Sequence, residues 1–84
     1  MKYTDESFYK SETEIRMGTY TNASGTIFEQ DRIIQDKSDL WLCQSRFYYI
    51  DRNYTTEWQT VKIYQTKKEA ERYFREMPDW VKEF

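Results

Sequence analysis

The clearest change of pattern along the chain falls between Glu57 and Met77. Trp58, Thr60, Lys62 and Tyr64 alternate with Gln59, Val61, Ile63 and Gln65, a period of two that predicts a strand with the first set on one face. From Thr66 the period lengthens. Ala70, Tyr73, Phe74 and Met77 fall at i, i+3, i+4 and i+7, one apolar stripe of an amphipathic helix of about three turns. Thr66 is placed to cap it and Glu69 stands at the capping-box position. Pro78 cannot continue the helix and disfavours helical backbone at Met77. A strand therefore feeds a capped helix whose stripe has to lie on a sheet.

Upstream, Thr13–Thr21 reads as a first strand and Asn22-Ala23-Ser24-Gly25 as a hairpin loop with Gly25 suited to positive φ. Thr26–Gln35 fits neither period cleanly. Thr26 and Glu29 have capping spacing, but β-branched content after a turn favours a second strand. Asp36-Lys37-Ser38-Asp39 is a polar turn. Leu40–Ile50 is the strongest strand. Leu40, Leu42, Gln44, Arg46, Tyr48 and Ile50 form a face that is apolar at both ends and polar in the middle. Trp41, Cys43, Ser45, Phe47 and Tyr49 form the other. Apolar groups on both faces predict a central strand covered by the helix on one side. Before these elements, Thr4 is placed to cap a short turn through Phe8 and Tyr9. After Pro78, Asp79 is placed to cap a last turn carrying Trp80, Val81 and Phe84.

Together these elements predict one α+β domain of two layers. It is an antiparallel meander of about four strands with one C-terminal α-helix packed on it. The 84 residues suit a single modest core. Two glycines and one proline, with no repeat or linker, exclude disorder by composition.

Composition alters this picture at one point. Sixteen aromatic residues exceed what one sheet face and one helix are expected to hide, so some rings are expected outside. Charge adds little. A net −2 is too balanced for a typical nucleic-acid module and too weak for an acidic mimic of nucleic acid. One cysteine excludes an internal disulfide. No apolar run approaches the roughly 20 residues that span a membrane, and the first residues lack the apolar segment of a secretory signal. A reduced, cytoplasmic protein is the expectation. The sequons at Asn22 and Asn53 then read as turn chemistry.

Catalysis has little to work with. Histidine is absent, so Cys43 has no imidazole to activate it and reads as a small buried hydrophobe. Glu29, Asp31, Asp36 and Asp39 are close in sequence but lack the spacing of a calcium loop. Gly18 and Gly25 form no phosphate-cradling loop. The expectation is a non-enzymatic chain with no cofactor and no metal.

Binding has more support. Between Gln44 and Lys68, five basic residues interleave with aromatics against Asp51 and Glu57. The expected binding face comprises Arg46, Tyr48, Arg52, Tyr54, Trp58, Lys62 and Tyr64. Tyr, Trp and Arg dominate protein interfaces, and an aromatic patch rimmed by charge marks an interaction site. The expected function is therefore a small binding protein that docks on a larger protein complex. An inhibitor or regulator of the kind phages and mobile elements encode is of this type. Homodimerisation through a sheet edge is one form of such binding. The alternative is a single-strand nucleic-acid module, with bases stacked on the rings and phosphates on Arg46 and Arg52. The run Arg46–Ile50 lacks the glycines of an RNA-recognition strand motif.

Overall fold

The computed structural model describes residues 9–10 and 12–76. Met77, Pro78 and the expected turns at Thr4 and Asp79, with Trp80, Val81 and Phe84, lie outside the described residues. The elements in chain order are β1 (Ile15–Thr21), β2 (Ile27–Gln35), β3 (Trp41–Tyr49), a 3-10 turn (Ile50–Arg52), β4 (Tyr54–Thr55), β5 (Gln59–Tyr64) and α1 (Lys67–Arg75). All the pairings are antiparallel, and the strands run β1-β2-β3 in sequence order. β4 and β5 share the outer side of β3, one at each end, so they act as a single fourth strand broken at 56–58. The result is the expected α+β meander with a helix on it. No described helix is long and apolar enough to cross a membrane.

Local chemistry explains the turns. Asn22 Oδ1 accepts from the Thr26 and Ile27 amides at 2.9 and 3.1 Å, and Gly25 takes φ +71°. Asp36 Oδ1 accepts from the Ser38 and Leu40 amides at 2.9 and 3.0 Å. Asn53 adopts the left-handed conformation that ends the 3-10 turn. At α1, the Thr66 hydroxyl accepts from the Glu69 amide at 3.3 Å and donates to Glu69 Oε1 at 2.8 Å.

The sheet is covered differently on its two faces. Ala70 and Phe74 of α1 pack on Ile33 and Cys43, with Ile15, Met17, Trp41, Tyr64 and Tyr73 around them. Burying a ring such as Phe74 contributes about 1.5–3 kcal/mol. On the opposite face Tyr9, which bridges to Asp36, lies with Ile34 and Leu42. Cys43 is fully buried, which pushes its thiol up to about 12, with the nearby Asp31 charge adding to the effect.

Two irregularities set what each face carries. The β1–β2 register slips at Met17, so Arg16 opposes Arg32 while Gly18 opposes Asp31. The β3–β5 register slips at Val61, so Lys62 opposes Cys43 while Thr60 opposes Gln44. Each is a one-residue bulge on an outer strand. Beyond each bulge the side chains change face relative to an unbroken ladder.

Candidate functional site

The Val61 bulge corrects the expected alternation. Trp58 and Thr60 lie on the face opposite α1, whereas Lys62 and Tyr64 lie on the α1 face, so Trp58, Lys62 and Tyr64 do not share one surface. The seven residues singled out in the sequence divide accordingly. Arg46, Tyr48 and Trp58 belong to the open face, the one on which no described helix packs. Tyr54 opposes Tyr49 on the other, their rings stacked at 6.4 Å, with the Arg52 guanidinium 5.9 Å from Tyr49. Lys62 Nζ stands 6.0 Å from the Tyr64 ring. Tyr54 is 55% exposed, and Arg52 and Lys62 are exposed. Trp58 is only 8% exposed, so it is a packing residue and presents no free ring.

What surrounds Trp58 is the most distinctive feature of the structure. The guanidinium carbons of Arg32, Arg46 and Arg16 lie 4.3, 4.4 and 5.0 Å from its ring centroid. These cations come from three strands and meet over one indole, the best aromatic partner for a cation. Arg32 is 4% exposed and its hydrogen bonds are specific. Its Nε donates to Gln44 Oε1 at 2.8 Å and its Nη1 to Glu14 Oε1 at 3.0 Å. Gln44, fully buried, completes its own bonding by donating to Tyr9 Oη and Thr60 Oγ1, both at 3.1 Å. The polar middle of the Leu40–Ile50 face is therefore where the arginines are received.

Among the described residues the cluster is short of negative charge. Among the described residues Glu14 is the one carboxylate ion-paired to it, bridging Arg32 at 3.0 Å and Arg16 at 3.2 Å. Arg46 Nε donates to the neutral Gln30 amide oxygen at 2.7 Å. Arg32 Nη2 is buried with no acceptor among the described residues. Burial, then repulsion from Arg16 and Arg32, draws the Arg46 pKa below its ordinary value, with Glu14 opposing. A groove of about 280 Å3 opens beside the cluster, lined by Arg16, Met17, Gly18, Thr19, Gln30 and Arg46. A larger depression of about 420 Å3 between β5 and α1 has Glu69, Arg72 and Glu76 in its lining, so its charge is already mixed.

A second polar group lies on the α1 face. Ser45 Oγ donates to Asp31 Oδ1 at 2.7 Å, and Glu29 is close beside. Burial, then the Asp31 charge and a hydrogen bond to Asp31, raise Glu29 to about 7. Burial also raises Asp31, against the hydrogen bonds from Ser45 and Glu29. Asp31 Oδ2 is buried with no hydrogen-bond partner among the described residues. Tyr20 lies across Gly18 next to this pair, at a place where a Cβ on Gly18 would stand 2.9 Å from the Tyr20 hydroxyl oxygen. No groove described above is lined by Glu29 or Asp31.

Sequence reasoning missed Arg16, Arg32, Glu14, Gln30 and Gln44 as partners of Arg46 and Trp58. The alternation of β2 does put Gln30 and Arg32 on one face, which is a usable signal. Comparison of the chain with models of protein families, with curated proteins and with solved structures finds no match.

Proposed function

We propose that this chain is a small non-enzymatic binding protein whose working surface is the open sheet face around Arg16, Arg46 and Tyr48. Its partner is an acidic patch on a larger protein. The observation that carries this reading is three guanidiniums gathered on Trp58 with one ion-paired carboxylate among the described residues, in a chain of net −2. Concentrating like charge works against folding, and a partner of opposite charge offsets it on binding. Both bulges support the reading, because they bring Arg16 and Trp58 onto the face that carries Arg32 and Arg46.

The sheet edges are poorer candidates for docking. β1 and β5 each carry a bulge and an exposed cation, Arg16 or Lys62, features that discourage strand addition. This argues against a homodimer through the edge and for a partner on the face. Nucleic acid is the weaker reading, because Arg32 and Arg46 already pack against the Trp58 ring and little of it is left for a base.

The experiment is affinity capture from the source cell with wild type and Arg46→Glu as parallel baits. The reading expects a partner that wild type retains, that elutes with rising salt and that the variant loses. An identical set of proteins on both baits would overturn it.

A further inference from the structure

We propose that the groove between Arg16 and Arg46 binds a doubly charged phosphate group, presented as a phosphate monoester. This inference rests on the reading of the open face as the working surface and names the chemistry that face recognises. Arg16 and Arg46 stand at the groove, both within 5.0 Å of the Trp58 ring centroid. Contact with the indole engages guanidinium faces, while a phosphate is held by the N–H edges, so the two interactions do not compete.

The edges are available. The Arg46 plane is fixed by its Nε bond to Gln30, and its two Nη atoms donate to no acceptor among the described residues. Among the described residues Arg16 pairs with one carboxylate, Glu14, through Nη2, and its side chain is 54% exposed. Arg32 stands behind them as a buried cation whose Nη2 lacks an acceptor among the described residues. Among the described residues, three cations against one paired carboxylate leave about two positive charges to be met. A phosphate monoester carries about −1.5 to −2 at neutral pH, whereas a carboxylate or a phosphodiester supplies half of that. Arginine forks match its oxygens two at a time. At about 280 Å3 the groove suits a charged headgroup. A whole small-molecule ligand fills about 300–1,000 Å3.

The test is a two-dimensional NMR titration of the full chain at constant ionic strength. Inorganic phosphate, O-phosphoserine and adenosine monophosphate supply the dianion; dimethyl phosphate and acetate supply monoanions. The expected result is saturable shifts at Gly18, Thr19 and the Arg46 side chain with each dianion, with monoanions about tenfold weaker or more. Arg46→Gln and Arg16→Gln should each weaken the dianions by about tenfold. Lys67→Gln should leave them unchanged. Arg16 lies at the rim, so its variant tests the site without opening the core. Tighter binding of phosphoserine than of inorganic phosphate identifies a phosphorylated side chain as the carrier. Tighter binding of the nucleotide identifies a nucleotide. Absence of saturation at Gly18–Thr19, equal binding of mono- and dianions, or unchanged affinity in both variants would overturn the proposal. If capture of a partner still depends on Arg46 in that event, the docking reading stands and only the phosphate falls.

Discussion

Arg16 lies directly opposite Arg32 across the β1–β2 ladder. Like charges in that relation repel and destabilise a sheet. Here Glu14 Oε1 bridges both guanidiniums, at 3.2 and 3.0 Å, and Trp58 receives both on its ring. Replacing Glu14 by Gln removes the bridging charge and leaves a buried cation less well met. The expected cost is about 1–3 kcal/mol of unfolding free energy, read from urea denaturation. A loss within experimental error would mean that the pair needs no counter-charge.

Trp58 holds the arginines together and seals Arg32 from water. Trp58→Ala should cost about 3–5 kcal/mol, as for other buried large-to-small changes. Trp58→Phe keeps a ring and part of the cation–π attraction, so its loss should be clearly smaller. Parallel denaturation of the two variants checks the order. Equal losses would assign the effect of Trp58 to some contact other than ring against guanidinium.

Stability should depend on pH through Glu29 and Asp31. The folded state holds the Glu29 proton up to about 7, above its ordinary 4.5, and the Asp31 shift has the same sign. A group raised on folding contributes stability that is complete below its ordinary pKa and lost as pH rises through the folded value. The urea midpoint should therefore fall between pH 5 and pH 8. Glu29→Gln, which cannot ionise, should reduce that fall. Parallel pH dependences for wild type and variant would contradict the assignment of the fall to Glu29.

The register of β5 beyond the Val61 bulge decides which face receives Trp58. Deleting Gln59 moves Trp58 into register with Ser45 and turns it toward the α1 face, whereas deleting Val61 takes out the extra residue and leaves Thr60 opposite Gln44 and Trp58 on its own face. Removing the covering of Arg32 in the Gln59 deletion should destabilise by more than about 3 kcal/mol, whereas the Val61 deletion, which keeps every pairing, should cost clearly less. Substituting Val61 by Thr, which keeps the bulge at an exposed position, should change little. Circular dichroism melts of the two deletions check the order, and equal losses would mean that the face of Trp58 does not matter.

Much of the architecture was legible in the chain because its signals are local. Thr66 and Glu69 mark the start of α1, the spacing of Ala70, Tyr73 and Phe74 marks its buried stripe, and Asn22 with Gly25 marks the hairpin. The two faces of Leu40–Ile50 identify the central strand. The site was not legible for a physical reason. A bulge adds one residue without any compositional mark, yet it reverses the face of everything beyond it. Unbroken pairing outward from the Asn22 turn would set Arg16 opposite Ile33, on the helix face. Unbroken pairing from Trp41 and Tyr64 would set Trp58 opposite Phe47. Only with both bulges in place do Arg16, Arg32, Arg46 and Trp58 converge. Of the aromatics expected outside, Tyr54 is exposed because it sits on two-residue β4 at the end of the sheet, while Trp58 is covered by the cations it gathers.

The most direct measurement compares two charge reversals of equal size in quantitative partner capture. Arg16→Glu with Arg46→Glu reverses the open face; Lys67→Glu with Lys68→Glu reverses the start of α1. With both variants shown to be folded, the first should abolish retention of the partner and the second should leave it near wild type. Equal loss in both, or retention by the first, would contradict the assignment of the arginine face as the docking surface.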